Sequence, residues 1–331
     1  MDALSKPRVF ITRKIDSAAI SFLADSCIVD VWDKPSPPPY QTLLAEIETI
    51  DGLISLLTDT IDRELIFHSK GRLRVISQMA VGVDNIDLKA ATEIKLPIGH
   101  TPGVLTDSCA DFTFALLIAV ARRVVEADGE VHDGIWQPWG PDVLCGADVF
   151  GSSLGIVGMG RIGEAVAKRA KGFEMKLLYF DQTRHPEIEK ELNAKFVNLD
   201  ELLQTSDFVS LHVNLTEETH HFIAKDQFRR MKSTAYLINP SRGALVNPLA
   251  LEWALENHVI AGAAIDVTDP EPLPANSPLL KFKNLVITPH IASASIQTRA
   301  TMAMVAAKNL VAGLNGDRLP FCANPEIYSG S

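Results

Sequence analysis

Short runs of apolar, often β-branched residues recur along the chain. Between them lie stretches in which apolar positions return every three or four residues. Val9-Phe10-Ile11-Thr12, Ile28 to Trp32, Gly52 to Leu57 and Val75 to Met79 are continuous enough to be strands buried on both faces. Asp16 to Leu23 and Tyr40 to Ile47 carry the helical period. A second series starts at Ser153, with strands expected at Leu154 to Val157, Lys176 to Phe180, Phe208 to Val213, Ala235 to Ile238, Gly262 to Val267 and Leu285 to Thr288. Strands alternating with helices build βαβ units on mostly parallel sheets. The expected architecture is α/β: two Rossmann-like, doubly wound parallel-sheet domains.

Three stretches stand outside this alternation. Lys34-Pro35-Ser36-Pro37-Pro38-Pro39 reads as a surface connection. Ser108 to Val125 is nearly all apolar for three turns and closes on Arg122-Arg123, which predicts one long helix after Thr106, a buried spine between two domains. Asp133 to Phe150 breaks the period with Gly, Pro, Trp136 and Trp139 and reads as an arm or loop. Aromatics in such an arm serve either a subunit contact or packing on their own domain.

Composition narrows the function classes. At 331 residues the chain is too long for one ordinary domain. Hydrophobic residues at 47% and charged residues at 22% exclude a disordered chain. A net charge of −10 with no Lys/Arg run argues against nucleic acid, so an anionic substrate must be gathered by a local cation. Cys27, Cys109, Cys145 and Cys322 form no CxxC pair, which argues against a disulfide scaffold or a cysteine-bound zinc and fits a reducing compartment. The start, MDALSKPRVFITR, lacks an apolar leader, and the longest apolar run, Phe112 to Ala121, is about half a membrane span. A cytoplasmic protein without membrane contact is expected. The histidines show no metal spacing, and the adjacent His220 and His221 are expected to point apart into solvent; no metal is expected.

The strongest local signal follows Leu154-Gly155-Ile156-Val157. Gly158-Met159-Gly160-Arg161-Ile162-Gly163 is a GxGxxG run between a strand and a helix, the context that gives it meaning. Gly158 allows the tight turn, Gly160 lets backbone approach a pyrophosphate, and Gly163 lets helix and strand pack closely. The helix N-terminus offers free N–H groups to the phosphates, and Arg161 adds a charge. Asp181 ends the next strand, 18 residues past Gly163. An acid there accepts hydrogen bonds from ribose hydroxyls and repels a 2′-phosphate, so NAD (NADH) is favoured over NADP. Arg184 stands close enough in sequence to offset that repulsion.

Polar residues close several later strands. Arg242 follows Ala235 to Ser241, Asp266 follows Ala263-Ala264-Ile265, Glu271 lies just beyond, and His290 closes Leu285 to Pro289. Ligands of open α/β sheets bind beyond the carboxyl ends of strands. A ketone–alcohol interconversion needs a cation for the carboxylate and carbonyl, a proton donor near neutral pH, and an acid to orient that donor. Arg242, His290 and Glu271 supply that set. Asp266 is either a buried hydrogen-bonding group or a contact to the nicotinamide amide.

These segments, with Gly52 to Asp59, Met79-Ala80-Val81-Gly82-Val83-Asp84-Asn85, Thr101-Pro102-Gly103-Val104-Leu105-Thr106-Asp107, Ile238 to Gly243, Asp266 to Pro274 and Thr288 to Ala294, resemble the D-isomer-specific 2-hydroxyacid dehydrogenases over nearly the full chain. Within them the glyoxylate/hydroxypyruvate reductases are the most similar. The resemblance implies a flavodoxin-like substrate domain from residues 1–101 plus 292–331, a NAD-binding domain inserted at 102–291, and a homodimer. It implies catalysis by Arg242, Glu271 and His290, with Leu57, Ala80, Val81, Gly82 and Arg242 on the substrate. It places Thr106, Gly158, Gly160, Arg161, Ile162, Gly163, Asp181, Asn214, Thr219, Pro240, Asp266 and His290 on the cofactor. The implied reaction is NAD(H)-dependent, reversible reduction of a small 2-keto acid to the 2-hydroxy acid. A larger D-2-hydroxy acid, phosphite, or an NAD-sensing, partner-binding role like that of co-repressors are the alternatives. Phosphite-oxidising relatives carry Lys where this chain has Val81, which counts against phosphite.

Overall fold

The computed structural model describes residues 6–329. The chain divides into two compact units: residues up to Leu105 together with those from Ala294 onward, and Thr106–Ser293.

In the first unit, five short strands form one parallel sheet: β1 (Arg8–Ile11), β2 (Ile28–Val31), β3 (Gly52–Ser55), β4 (Val75–Gln78) and β5 (Ile98–Gly99). Their order is β2-β1-β3-β4-β5, the flavodoxin-like winding. The sheet is completed from the far end of the sequence. Helix Ile296–Asn315 buries Ala303, Ala306, Ala307, Leu310, Gly313 and Leu314, a stripe at helical spacing. Gly313 lets the helix lie against Val75, where an added Cβ would come within 2.6 Å of that side chain. Ser295 caps its start by accepting the Thr298 N–H. Beyond the helix, Asn324 accepts the Ile98 N–H at 2.9 Å and donates to Leu96 O at 3.0 Å, stitching the tail to β5.

The second unit holds seven parallel strands: β6 (Ser153–Val157), β7 (Lys176–Phe180), β8 (Lys195–Phe196), β9 (Phe208–Leu211), β10 (Tyr236–Asn239), β11 (Gly262–Ile265) and β12 (Leu285–Ile287). The order β12-β11-β10-β9-β6-β7-β8 reverses direction between β9 and β6, which creates the crevice where doubly wound sheets bind ligands. Tyr179, Phe208 and Phe228 are its largest fully buried side chains.

The expected single helix over Ser108–Val125 is two helices, Thr106–Ala121 and Val124–His132. The break falls at Arg123, whose φ is +53° and whose guanidinium turns back to Glu126 in two hydrogen bonds of 2.8 and 3.0 Å. The first helix packs on helix Arg161–Ala170 and on β10 and β11. From Ile135 to Phe150 the chain has neither helix nor strand, and Trp136 and Trp139 are 79% and 89% exposed.

Candidate active site

The turn beyond β6 is built by glycines with different tasks. Gly158 has a φ of +94°, and a Cβ there would stand 2.7 Å from His212 O beyond β9. A Cβ on Gly163 would stand 2.1 Å from Gly158 O, so the helix can seat on the turn only without one. A Cβ on Gly160 would meet nothing within 4 Å. That open face lies where Gly160 caps helix Arg161–Ala170, whose first-turn N–H groups have no partner within the helix. A pyrophosphate fits such a cradle by shape and charge. Asp181, just past β7, folds onto the same turn: Oδ2 accepts the Met159 N–H at 2.7 Å and Oδ1 the Thr183 N–H at 3.2 Å. Thr106 opens its helix, Pro240 follows β10, and Thr219 closes a turn past β9 by donating to Asn214 O at 2.7 Å.

Arg184, the residue that could offset Asp181, is engaged by Glu189 in this arrangement. Its Nε and Nη2 each donate to Glu189 at 2.8 Å. That hydrogen-bonded guanidinium, helped by the Tyr179 hydroxyl and opposed by burial, pulls the Glu189 carboxyl down to about 2.

Beyond the ends of β10, β11 and β12 a second cluster forms. His290 Nδ1 lies 2.6 Å from Glu271 Oε1. With Nδ1–H given to the carboxylate, Nε2 is the nitrogen left for a reacting oxygen. Burial pushes the Glu271 carboxyl up, but the hydrogen bond and charge of His290, the Thr268 N–H and the charge of Arg242 outweigh it, so it titrates below the ordinary carboxylate value. Glu271 therefore stays anionic beside His290.

The backbone of His290 is left-handed, with φ +56°. Asp266, fully buried, explains how that conformation is held. Its Oδ1 accepts the Thr288 hydroxyl at 2.6 Å and the Ile291 N–H at 2.8 Å; its Oδ2 accepts the Ala292 N–H at 2.7 Å. The His290 N–H itself donates to Asp266 O at 2.7 Å. Of the two roles open for Asp266, these bonds fill the buried hydrogen-bonding one.

Arg242 is placed by residues that strand-end reasoning passed over. Asn239, buried at the end of β10, donates to Arg242 O at 2.8 Å and accepts the Ser241 N–H at 3.1 Å. A Cβ on Gly243 would lie 2.0 Å from Thr268 O, so this glycine lets the Arg242 loop press against the loop that carries Glu271. The Arg-Gly pair was the available signal in the sequence.

His220 and His221 do not point apart. Their ring centroids are 3.9 Å from each other, because His221 takes a left-handed φ of +52° that turns the two side chains to one side. With Asp269 they bring three potential ligand atoms within 4.8 Å. The hydrogen bonding around His221 opposes a cation there. Asn247 Oδ1 accepts the Ala250 N–H, so its amide N–H faces His221 Nδ1 at 3.2 Å. Nδ1 is then an acceptor, and Nε2 carries the proton toward Asp269, 3.8 Å away.

In the other unit, Leu57 lies past β3, and Ala80, Val81 and Gly82 follow β4, all at carboxyl ends of the sheet. Ala80 O accepts the Thr101 N–H at 2.8 Å, and His100 Nδ1 lies 3.1 Å from Val81 O.

Residues 114–292 match the model of the D-isomer specific 2-hydroxyacid dehydrogenase NAD binding domain. The chain belongs to this family. It is 51% identical over 323 residues to a glyoxylate reductase of Korarchaeum cryptofilum, covering 97% of both chains. The crystal structure of a Thermus thermophilus protein superposes with a TM-score of 0.90 at 47% identity, over 96% of this chain and 99% of that one. A Sinorhizobium meliloti glyoxylate/hydroxypyruvate reductase, solved with NADP and malonate, has a TM-score of 0.84 at 26% identity, over 96% and 97%. As a D-2-hydroxyacid dehydrogenase the chain is a nicotinamide-dependent oxidoreductase of the α/β class. Among the described residues, no helix is long and apolar enough to cross a membrane.

Proposed function

We propose that this dehydrogenase reduces glyoxylate and hydroxypyruvate with NADH. The observation that carries the proposal is the His290–Glu271 hydrogen bond, which leaves Nε2 free beyond the strand ends of a dinucleotide-type sheet. The sequence identity to glyoxylate reductases supports the substrate class.

Bound at the Gly158–Gly163 turn, NADH would supply the hydride that the keto carbon takes up. His290 Nε2 gives a proton to the keto oxygen as it becomes a hydroxyl. Glu271 holds the ring in its orientation and stabilises the imidazolium before that proton leaves. Arg242 takes the substrate carboxylate and polarises the carbonyl with its planar guanidinium. The family resemblance adds Leu57 and the Ala80, Val81 and Gly82 backbone N–H groups as residues that would contact the substrate.

The Gly158–Gly163 turn, with Arg161 and Ile162, takes the pyrophosphate and Asp181 the adenosine ribose. Thr106, Asn214, Thr219, Pro240 and His290 would line the rest, and Asp266 would act there by holding the backbone of residues 290–292. Preference for NADH over NADPH is supported by Asp181 and by the engagement of Arg184 with Glu189. A homodimer formed through the arm that exposes Trp136 and Trp139 is supported by their exposure. The four free cysteines suit the reducing cytoplasm.

The test is oxidation of NADH and NADPH, side by side, with glyoxylate, hydroxypyruvate, pyruvate and a bulkier 2-keto acid. Fast NADH turnover on the small acids is expected. Arg242→Ala and His290→Ala should each lose about 100-fold or more in kcat/KM while still binding NADH. Near-normal turnover in either variant, or NADH binding without turnover of any acid by the parent enzyme, would overturn the assignment.

A further inference from the structure

The first unit contains a buried polar network that no step above uses. Asp59 is 4% exposed. Its Oδ2 accepts the Thr12 hydroxyl at 2.5 Å and the Leu56 N–H at 2.7 Å. Its Oδ1 is out of solvent, has no hydrogen bond, and faces Arg13 Nη1 at 3.6 Å. The Arg13 side chain is itself only 12% exposed, and its Nη2 donates to Thr58 at 2.9 Å. Asn85 extends the network: Nδ2 donates to Asp59 O at 2.7 Å and Leu56 O at 3.2 Å, and Oδ1 accepts from Gln78 at 2.6 Å. Arg13 follows β1, Leu56 to Asp59 follow β3, and Gln78 and Asn85 bracket the Ala80–Gly82 loop after β4.

We infer that Arg13 and Asp59 are positioning residues for the substrate carboxylate. They hold the Leu57 loop and, through Asn85, the Ala80–Gly82 loop as one platform. The inference rests on the proposed substrate role of those loops. A carboxylate removed from water needs a nearby cation, and Arg13 is that cation for the Asp59 oxygen without a hydrogen bond, while the bonds of the other oxygen and of Asn85 hold the two loops to each other. Arg13 both balances the Asp59 charge and ties Thr58. Backbone N–H groups that recognise an anion act only when held in place, so loosening the platform weakens substrate binding more than it slows proton or hydride transfer.

The experiment compares Arg13→Met, Arg13→Lys, Asp59→Asn and the double variant Arg13→Met/Asp59→Asn. Steady-state reduction of glyoxylate, NADH affinity and amide hydrogen exchange are read for each. Arg13→Met should raise KM for glyoxylate about tenfold with kcat within about threefold and NADH affinity unchanged. Arg13→Lys, which keeps the charge without the planar geometry, should fall between. The double variant removes both charges and should recover part of the loss, a coupling that mere destabilisation does not give. Exchange should quicken at residues 56–59 and at 80–85 together. An unchanged KM in well-folded Arg13→Met and Arg13→Lys overturns the inference. So does faster exchange confined to 56–59. If the parent enzyme does not reduce glyoxylate, the proposed function fails, and the exchange result alone still decides whether the two loops are held together. If Arg13→Met does not fold, Arg13→Lys carries the same readouts.

Discussion

Arg184 and Glu189 meet in a two-pronged ion pair just past the strand whose end carries Asp181. The pair bears on cofactor choice, because an arginine committed to a carboxylate is not offered to a phosphate. Glu189→Ala should release it. NADPH-dependent kcat/KM is then expected to rise about tenfold while the NADH value changes less than about twofold. Parallel rates with the two cofactors settle the matter, and no gain with NADPH means that the ion pair has no part in cofactor choice.

The Glu271–His290 hydrogen bond predicts a loss of rate that follows the charge of Glu271. In the proposed mechanism His290 gives the proton and Glu271 holds its ring. Glu271 remains anionic because its own carboxyl sits below the usual range. Glu271→Gln keeps the shape and removes the charge. kcat/KM for reduction should fall by about tenfold or more while NADH binding is kept. An unchanged kcat/KM would show that the charge of Glu271 plays no part.

Gly243 gives a prediction about packing. A methyl group there meets Thr268 O at 2.0 Å, so one of the two loops must retreat. Gly243→Ala should cost at least about tenfold in kcat/KM with NADH binding intact, since the nucleotide turn lies elsewhere in the unit. Unaltered kinetics would show that the Arg242 and Glu271 loops move independently.

His212 links stability to acid. Its Nδ1 is buried without a partner, and burial pushes the ring down to about 3. Between the ordinary value near 6.5 and about 3, the unfolded chain takes up a proton that the folded chain refuses. The stability conferred by the neutral ring is complete above that window and is lost as pH falls through it. At pH 5 the loss should be on the order of 1–2 kcal/mol. Denaturant titrations at pH 7 and pH 5 should show this slope in the parent and a flatter one in His212→Gln. Equal slopes would rule the linkage out.

Strands buried on both faces announce themselves as apolar runs, and β3, β4 and β6 begin at or next to the expected residues. The two-residue β5 and β8 do not, because nothing in so short a stretch separates a strand from a loop. Arg122-Arg123 marked a helix end, but the return into a second helix at Val124 depends on Arg123 adopting a left-handed turn and pairing with Glu126. That Arg242, Glu271 and His290 lie near one another was legible, because polar residues closing apolar strands gather at one end of a parallel sheet. The work of Asp266 was not, since its acceptors reach a turn more than 20 residues further on. The His220–His221 contact was hidden for a related reason: neighbours along a chain diverge unless the backbone takes a rare conformation.

The helix Ile296–Asn315 has a consequence for the order in which the molecule is made. It seals β3 and β4, which leave the ribosome more than 200 residues earlier. The unit Thr106–Ser293 is closed on itself, with Ser108 bonded to Ala292 O at 3.1 Å where the chain enters and leaves it. During synthesis the middle of the sequence can therefore complete its core first. The sheet that holds β3 and β4 waits for the closing helix to emerge, so a later-made segment finishes an earlier-made unit.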